Sequence, residues 1–209
     1  MRAGNELAVF DFDKTLVAGD SFQLFSRMAA ASLQEQTYAF LAAALCKAGL
    51  ISNGTYKQRV LQRLWQGRTP DEQAEILAGL YAQLERRVYD VIAGHLREHL
   101  HSGHQVVVVS ASPALYVAPF VQRVWSDHIE VLASRFGHGE DDNVYGARKA
   151  EVTRRLIEAR RPRAVWVYTD HRSDLPLIEM AHHVRLVQPS AGLLRTLRAR
   201  GIAFEIMAV

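Results

Sequence analysis

Two regimes of hydrophobic patterning divide the chain. Residues 8–11, 106–110, 164–169 and 184–187 are short apolar runs without alternation, as expected of parallel strands covered on both faces. Segments with helical spacing follow the last three, at 114–125, 174–182 and 191–200. Strand and helix alternate, which predicts an α/β fold built on a parallel, doubly wound sheet. Between residue 20 and about residue 87 the pattern changes. Leu24, Phe25 and Met28, then Tyr38, Leu41 and Leu45, then Val60, Leu61 and Leu64, then Ile76, Leu77, Leu80 and Leu84 recur at helical spacing with no strand-like run. The pattern predicts an all-helical insertion over 20–87, inside a core made of 1–19 and 88–209. Within it, Thr69 reads as an N-cap, with Pro70 at the first helical position and Glu72 three residues after the cap. Gly103 ends a helix over 91–101, and the polar stretch 133–146 reads as a flexible hairpin or loop.

Composition narrows the class. The chain has 209 residues, 49% of them apolar, enough to bury an ordinary core. A formal charge of +3 suits small anions, but the basic residues are scattered among acids and form no stripe, so nucleic-acid binding is not expected. Cys46, the one cysteine, cannot form an internal disulfide and reads as a buried small hydrophobe. The N-terminal residues lack the basic start and apolar stretch of a signal peptide, so a cytoplasmic location is expected. The most apolar stretches, 38–51 and 106–121, are shorter than the about 20 residues a bilayer needs and are interrupted by Lys47 and Pro113. No integral membrane segment is expected.

Four signals that carry chemistry sit at or near the C-terminal ends of predicted strands, where open α/β sheets bind ligands. Asp11-Phe12-Asp13-Lys14-Thr15-Leu16 puts two carboxylates two residues apart at a strand end, a costly pair unless a cation shares the site. Ser110-Ala111-Ser112-Pro113 offers a hydroxyl and a helix N-terminus to a phosphate, or an ordinary helix cap. Lys149 begins a helix over 147–159 and could neutralise a phosphoryl group, or be a surface lysine. Tyr168-Thr169-Asp170-His171-Arg172-Ser173-Asp174-Leu175-Pro176 places carboxylates four residues apart, a spacing that suits Mg²⁺ or a cap by Asp174.

Taken in order, these four motifs resemble those of the haloacid dehalogenase (HAD) superfamily, and the helical stretch after the first motif is similar to the cap of its phosphoserine-phosphatase-like branch. The resemblance covers nearly the whole chain and implies a Rossmann-like core with an inserted helical cap. It implies a Mg²⁺-dependent phosphatase in which Asp11 attacks phosphorus and becomes an aspartyl-phosphate. Asp13 would protonate the leaving oxygen and then activate water. Thr15, Ser110 and Ala111 would hold the phosphate, and Lys149 would balance charge. Mg²⁺ would lie on Asp11, the backbone carbonyl of Asp13 and Asp170, with Asp174 supporting them. The chain departs from the pattern at Thr169, where relatives often have Gly, and at Lys14, where many have Gly or Ser.

For substrate, the resemblance implies a small phosphorylated metabolite selected by the cap. Asp20 stands near the position of a glutamate that holds the substrate's amino group in phosphoserine phosphatases, and also reads as a helix cap. Arg59 and Arg63 lie on one helix face and could bind a carboxylate or second phosphate, while Arg172 could reach substrate from the metal loop. Two other readings stay open. One is removal of phosphate from a lipid headgroup, with the apolar helix over 38–45 touching a bilayer; the other is a silent domain that binds a phosphorylated ligand or a partner protein. His95, His99, His101 and His104 cluster without the ligands that would complete a zinc set. Trp65, Trp125 and Trp166 are spaced as packing residues.

Overall fold

The computed structural model describes residues 5–136 and 143–209. The chain runs through β1 (Glu6–Phe10), then α1 (Ser21–Ala29), α2 (Leu33–Lys47), α3 (Asn53–Leu64), α4 (Pro70–Glu85) and α5 (Asp90–His101). It continues with β2 (Gln105–Pro113), α6 (Ala114–Val124), β3 (Glu130–Ser134), α7 (Ala147–Arg160) and β4 (Ala164–Thr169). A 3₁₀ turn at Arg172–Asp174 leads into α8 (Leu175–Ile178), β5 (His183–Val187), α9 (Ala191–Ala199) and β6 (Glu205–Met207).

The strands form one parallel sheet in the order β3-β2-β1-β4-β5-β6. From β1 the chain winds outward through β2 and β3, then returns to the other side of β1 for β4, β5 and β6. Strand order therefore reverses beside β1, and such a switch opens a crevice beyond the carboxyl ends of the flanking strands. The register sets Phe10 level with Val108 and Tyr168, so Asp11, Ser110 and Asp170 emerge at one end of the sheet.

Both faces of the sheet are covered, because successive side chains point to opposite sides. Leu7, Val9, Val107, Val109 and Val167 join Ala150, Leu177 and Leu193 in one cluster. Ala8, Phe10, Val106, Val108 and Tyr168 face the other way and pack in a cluster that also holds Phe22, Phe25, Leu64 and Leu80 of the helical stretch. That stretch is thus anchored to the sheet by shared core. Phe22 and Phe25, at 1% and 0% exposure, each contribute about 1.5–3 kcal/mol by burial. α2 is the exception, burying Ala42 alone and leaving Leu33, Phe40, Leu41 and Leu45 exposed.

Several expectations need correction. Residues 130–134, partly assigned to a polar loop, form the edge strand β3; Ala133 and Ser134 are buried there and pair in parallel with β2. Residues 137–142 of that expected loop lie outside the described residues. β6, with Glu205 and Ile206 exposed, closes the opposite edge and carries too short an apolar run to read from sequence. The helix expected over 174–182 is a single turn beyond the 3₁₀ segment, with Pro176 at its start. Cys46 is half-buried. The helical reading of 20–87 agrees with α1 to α4, and Thr69 and Glu72 form the reciprocal capping box expected at the start of α4.

Candidate active site

At the end of β1 the chain turns sharply. The Phe12 carbonyl accepts backbone hydrogen bonds from Thr15, Leu16 and Val17 at 3.3, 2.9 and 3.1 Å, and Lys14 takes a left-handed φ of 57°. This tight turn exposes Asp11 and Asp13 to a cleft of about 230 Å³ lined also by Lys57, Ser110, Ala111, Lys149 and Asp170. Asp20 and Asp174 border it too.

Lys149 is 2% exposed and stands at the centre of the charges. Its Nζ donates to Asp11 Oδ1 at 2.6 Å and to Asp174 Oδ2 at 2.8 Å. Thr169 Oγ1 also donates to Asp174 Oδ2, at 2.6 Å. Burial works against the Lys149 charge, but Asp11 and Asp174 more than offset it and hold the ammonium above the usual lysine range. A surface lysine is therefore not what α7 presents.

One ammonium does not neutralise the carboxylates around it. Burial raises Asp11 to about 7 despite Lys149, with Asp174 and Asp170 adding to the rise. Asp170 is raised to about 6, again by burial first, with Lys14 opposing and Asp174 reinforcing. Such a surplus of hard oxygen donors fits a divalent cation of the Mg²⁺ kind. Among the described residues no three His, Cys, Asp or Glu side chains make a metal set by themselves. Asp174 Oδ2 accepts from both Lys149 and Thr169, so Asp174 braces the ammonium of the lysine beside the other carboxylates.

Asp13 is held differently. Its Oδ1 accepts from the backbone N–H of Ser21 at 2.6 Å, and its Oδ2 accepts from Ser112 Oγ. Burial raises its pKa, Asp20 adds to the rise, and the Ser112 and Ser21 hydrogen bonds oppose it. Neither Ser110 nor Ser112 caps a helix: Pro113 precedes α6 with no side-chain cap bond, and Ser110 Oγ instead accepts from the backbone N–H of Ser112 at 3.0 Å.

Of the substrate contacts expected from sequence, Ser110, Ala111 and Asp20 line the cleft, and Asp20 also caps α1 by accepting from Gln23 N–H at 2.9 Å. Thr15 does not line it; its hydroxyl is buried without a hydrogen-bond partner. Arg59 and Arg63 are exposed on the outer face of α3 and do not line the cleft. The basic group that α3 does present is Lys57, 6% exposed, whose Nζ donates to the Ala111 carbonyl at 2.7 Å. Burial lowers its pKa, while Asp13, Asp20 and Asp11 pull it back up. A sequence signal for it existed, since Lys57, Val60, Leu61 and Leu64 share one helical stripe, and a lysine on an apolar face is a buried lysine. Arg172 is exposed and does not line the cleft, whereas its neighbours His171 and Ser173 do. In the histidine cluster, His99 bridges His104 at 2.8 Å and the Tyr168 hydroxyl at 3.0 Å, and burial lowers its pKa to about 4.

Residues 8–179 match the haloacid dehalogenase-like hydrolase family. The chain belongs to that family. A Streptomyces azureus protein named for inhibition of morphological differentiation is 29% identical, the alignment covering 93% of this chain and 76% of that one. A probable phosphatase of Mycobacterium tuberculosis is 24% identical over 93% of this chain and 72% of its own. Among solved structures, a Bordetella pertussis protein of unknown function superimposes with a TM-score of 0.83 at 18% identity, covering 98% of this chain and 99% of that one. A substrate-bound phosphoserine phosphatase gives 0.64 at 14% identity, covering 94% and 98%. The family match runs through the helical stretch as well as the sheet. Among the described residues no helix is long and apolar enough to cross a membrane.

Proposed function

We propose that this haloacid dehalogenase-like hydrolase is a Mg²⁺-dependent phosphatase acting on a small phosphomonoester through an aspartyl-phosphate on Asp11. The observation that carries the reading is the convergence of Asp11, Asp13, Lys149 and Asp170 on one cleft at the switch point of the sheet. Lys149 holds Asp11 by Oδ1 alone, which leaves Oδ2 to attack phosphorus in line with the leaving oxygen. As the bond from phosphorus to the leaving oxygen breaks, Asp13 gives that oxygen a proton. Asp13, now a carboxylate, takes a proton from water as the water oxygen attacks phosphorus, and the Asp11–phosphoryl bond breaks to release inorganic phosphate. Asp11, Asp170 and the carbonyl of Asp13 would hold Mg²⁺, which neutralises the phosphoryl oxygens when bound. Ser110 and the Ala111 region receive the phosphate, and Lys57 and Asp20 meet the leaving group from the helical side.

Several features support a phosphatase over carbon–halogen chemistry. Asp13 supplies the second aspartate that an acid and base step requires, and the probable phosphatase of M. tuberculosis is among the relatives. The decisive assay is phosphate release from aryl phosphate, phosphoserine, phosphoethanolamine, sugar phosphates and nucleotides, with Mg²⁺ and with chelator. Metal-dependent release from at least one of them is expected, and its absence from all of them with folded protein would remove the reading.

A second reading rests on α2, whose Leu33, Phe40, Leu41 and Leu45 are exposed. Such a face suits a lipid-borne phosphate ester at a bilayer surface. Cosedimentation with anionic vesicles, together with release from a lipid phosphate but from no soluble ester, would favour it.

A further inference from the structure

We infer that Ser112, Ser21 and Tyr116 form a hydroxyl series that positions Asp13, so that the second aspartate is aimed by the joint between the sheet and the helical stretch. This rests on the acid and base role given to Asp13 above. Ser112 Oγ donates to Asp13 Oδ2, Ser21 Oγ donates to Ser112 Oγ at 3.2 Å, and Ser21 Oγ lies 3.0 Å from the Tyr116 hydroxyl. Each hydroxyl has one proton to give. Ser112 donates to Asp13 Oδ2 and Ser21 donates to Ser112, so the proton left for the contact between Ser21 and Tyr116 is that of Tyr116. The series therefore runs in one direction and ends on the carboxylate.

Its members come from three separate elements: Ser112 from the end of β2, Tyr116 from the first turn of α6, and Ser21 from the first position of α1. All three are at most 1% exposed, so water does not compete for these hydrogen bonds. Ser112 does not serve as a helix cap, since α6 begins without a side-chain cap. Meanwhile the Ser21 backbone N–H holds Asp13 Oδ1 at 2.6 Å, so a single residue of α1 grips one carboxylate oxygen directly and the other through Ser112. With both oxygens tied, the carboxyl plane cannot turn, and a general acid must lie within about 3 Å of the oxygen it protonates. These are positioning residues, because none of them needs to touch substrate.

A misaimed acid hurts poor leaving groups most, since an activated aryl oxide departs without protonation. Ser112→Ala should lower kcat/KM for an alkyl phosphate such as phosphoethanolamine, or the best alkyl ester of the panel, by about 10²-fold, within the usual range for acid catalysis. The loss on p-nitrophenyl phosphate should stay below about a tenth of that. Tyr116→Phe, isosteric at the far end of the series, should show the same split with a smaller loss, and it carries the test if Ser112→Ala does not fold. Equal losses on the two esters, or no loss in either folded variant, would overturn the inference while leaving the phosphatase reading standing. A wild-type protein that hydrolyses neither ester would instead remove that reading, and this one with it.

Discussion

Asp11 and Asp13 are two residues apart, yet the fold treats them oppositely: one is surrounded by charge, the other is tied by neutral donors. Asp11 and Asp170 are raised to about 7 and about 6, against an ordinary aspartate value near 4. Between about pH 4 and 7 the native protein therefore binds more protons at these two sites than the unfolded chain does. Their contribution to stability is then greatest at the low end of that window and is lost as pH rises through it. A cation that compensates the ionised carboxylates must act in the opposite sense. Mg²⁺ should raise the melting temperature more at pH 7.5 than at pH 5.5, as followed by thermal denaturation with and without the ion. A shift of equal size at both values would contradict the assignment of Asp11 and Asp170 as its ligands. Residue identities at the strand ends were readable because a strand end followed by two aspartates has few structural uses. Ser112 and Tyr116 were not, because a buried hydroxyl is recognised by its partners, and those come from β2, α6 and α1 at once.

At the scale of elements, local rules that depend on a few neighbours were legible. Thr69, Pro70 and Glu72 specify the start of α4 by themselves, and the Glu72 carboxylate accepts a 2.7 Å hydrogen bond from the Thr69 N–H. Thr69→Ala should cost about 1 kcal/mol in chemical denaturation without touching activity. β3 escaped detection because its first residues are only partly buried, and an edge strand of mixed polarity resembles a loop until β2 is beside it. In α3 the choice between Lys57 and the arginines turned on which face is buried, and the stripe of Val60, Leu61 and Leu64 assigns that face to Lys57. Lys57→Ala should raise KM for esters whose leaving group carries a carboxylate or second phosphate by about 10-fold, the loss of one charge-assisted contact. The same change should disturb uncharged leaving groups less, as steady-state kinetics on matched ester pairs would show.

In the whole molecule, the order β3-β2-β1-β4-β5-β6 carries Asp11 and Asp170 to adjacent strand ends, while α7 swings Lys149 in from 138 residues away. The helical stretch reaches the same crevice through Asp20, Asn53 and Lys57, and its core is continuous with that of the sheet. Alternating strands and helices announced this architecture, because a buried parallel sheet demands uninterrupted apolar runs. The arrival of Lys57 over the Ala111 carbonyl was beyond the sequence, since it depends on how α1 and α3 dock. The proposed mechanism depends on Asp11 as nucleophile. The most direct measurement is acid quenching of the Asp13→Asn variant during turnover of its best phosphomonoester, followed by peptide mapping by mass spectrometry. A phosphoryl group on the peptide containing Asp11, absent from the Asp11→Asn variant along with phosphate release, is the predicted result. Undiminished release by folded Asp11→Asn would contradict the mechanism outright.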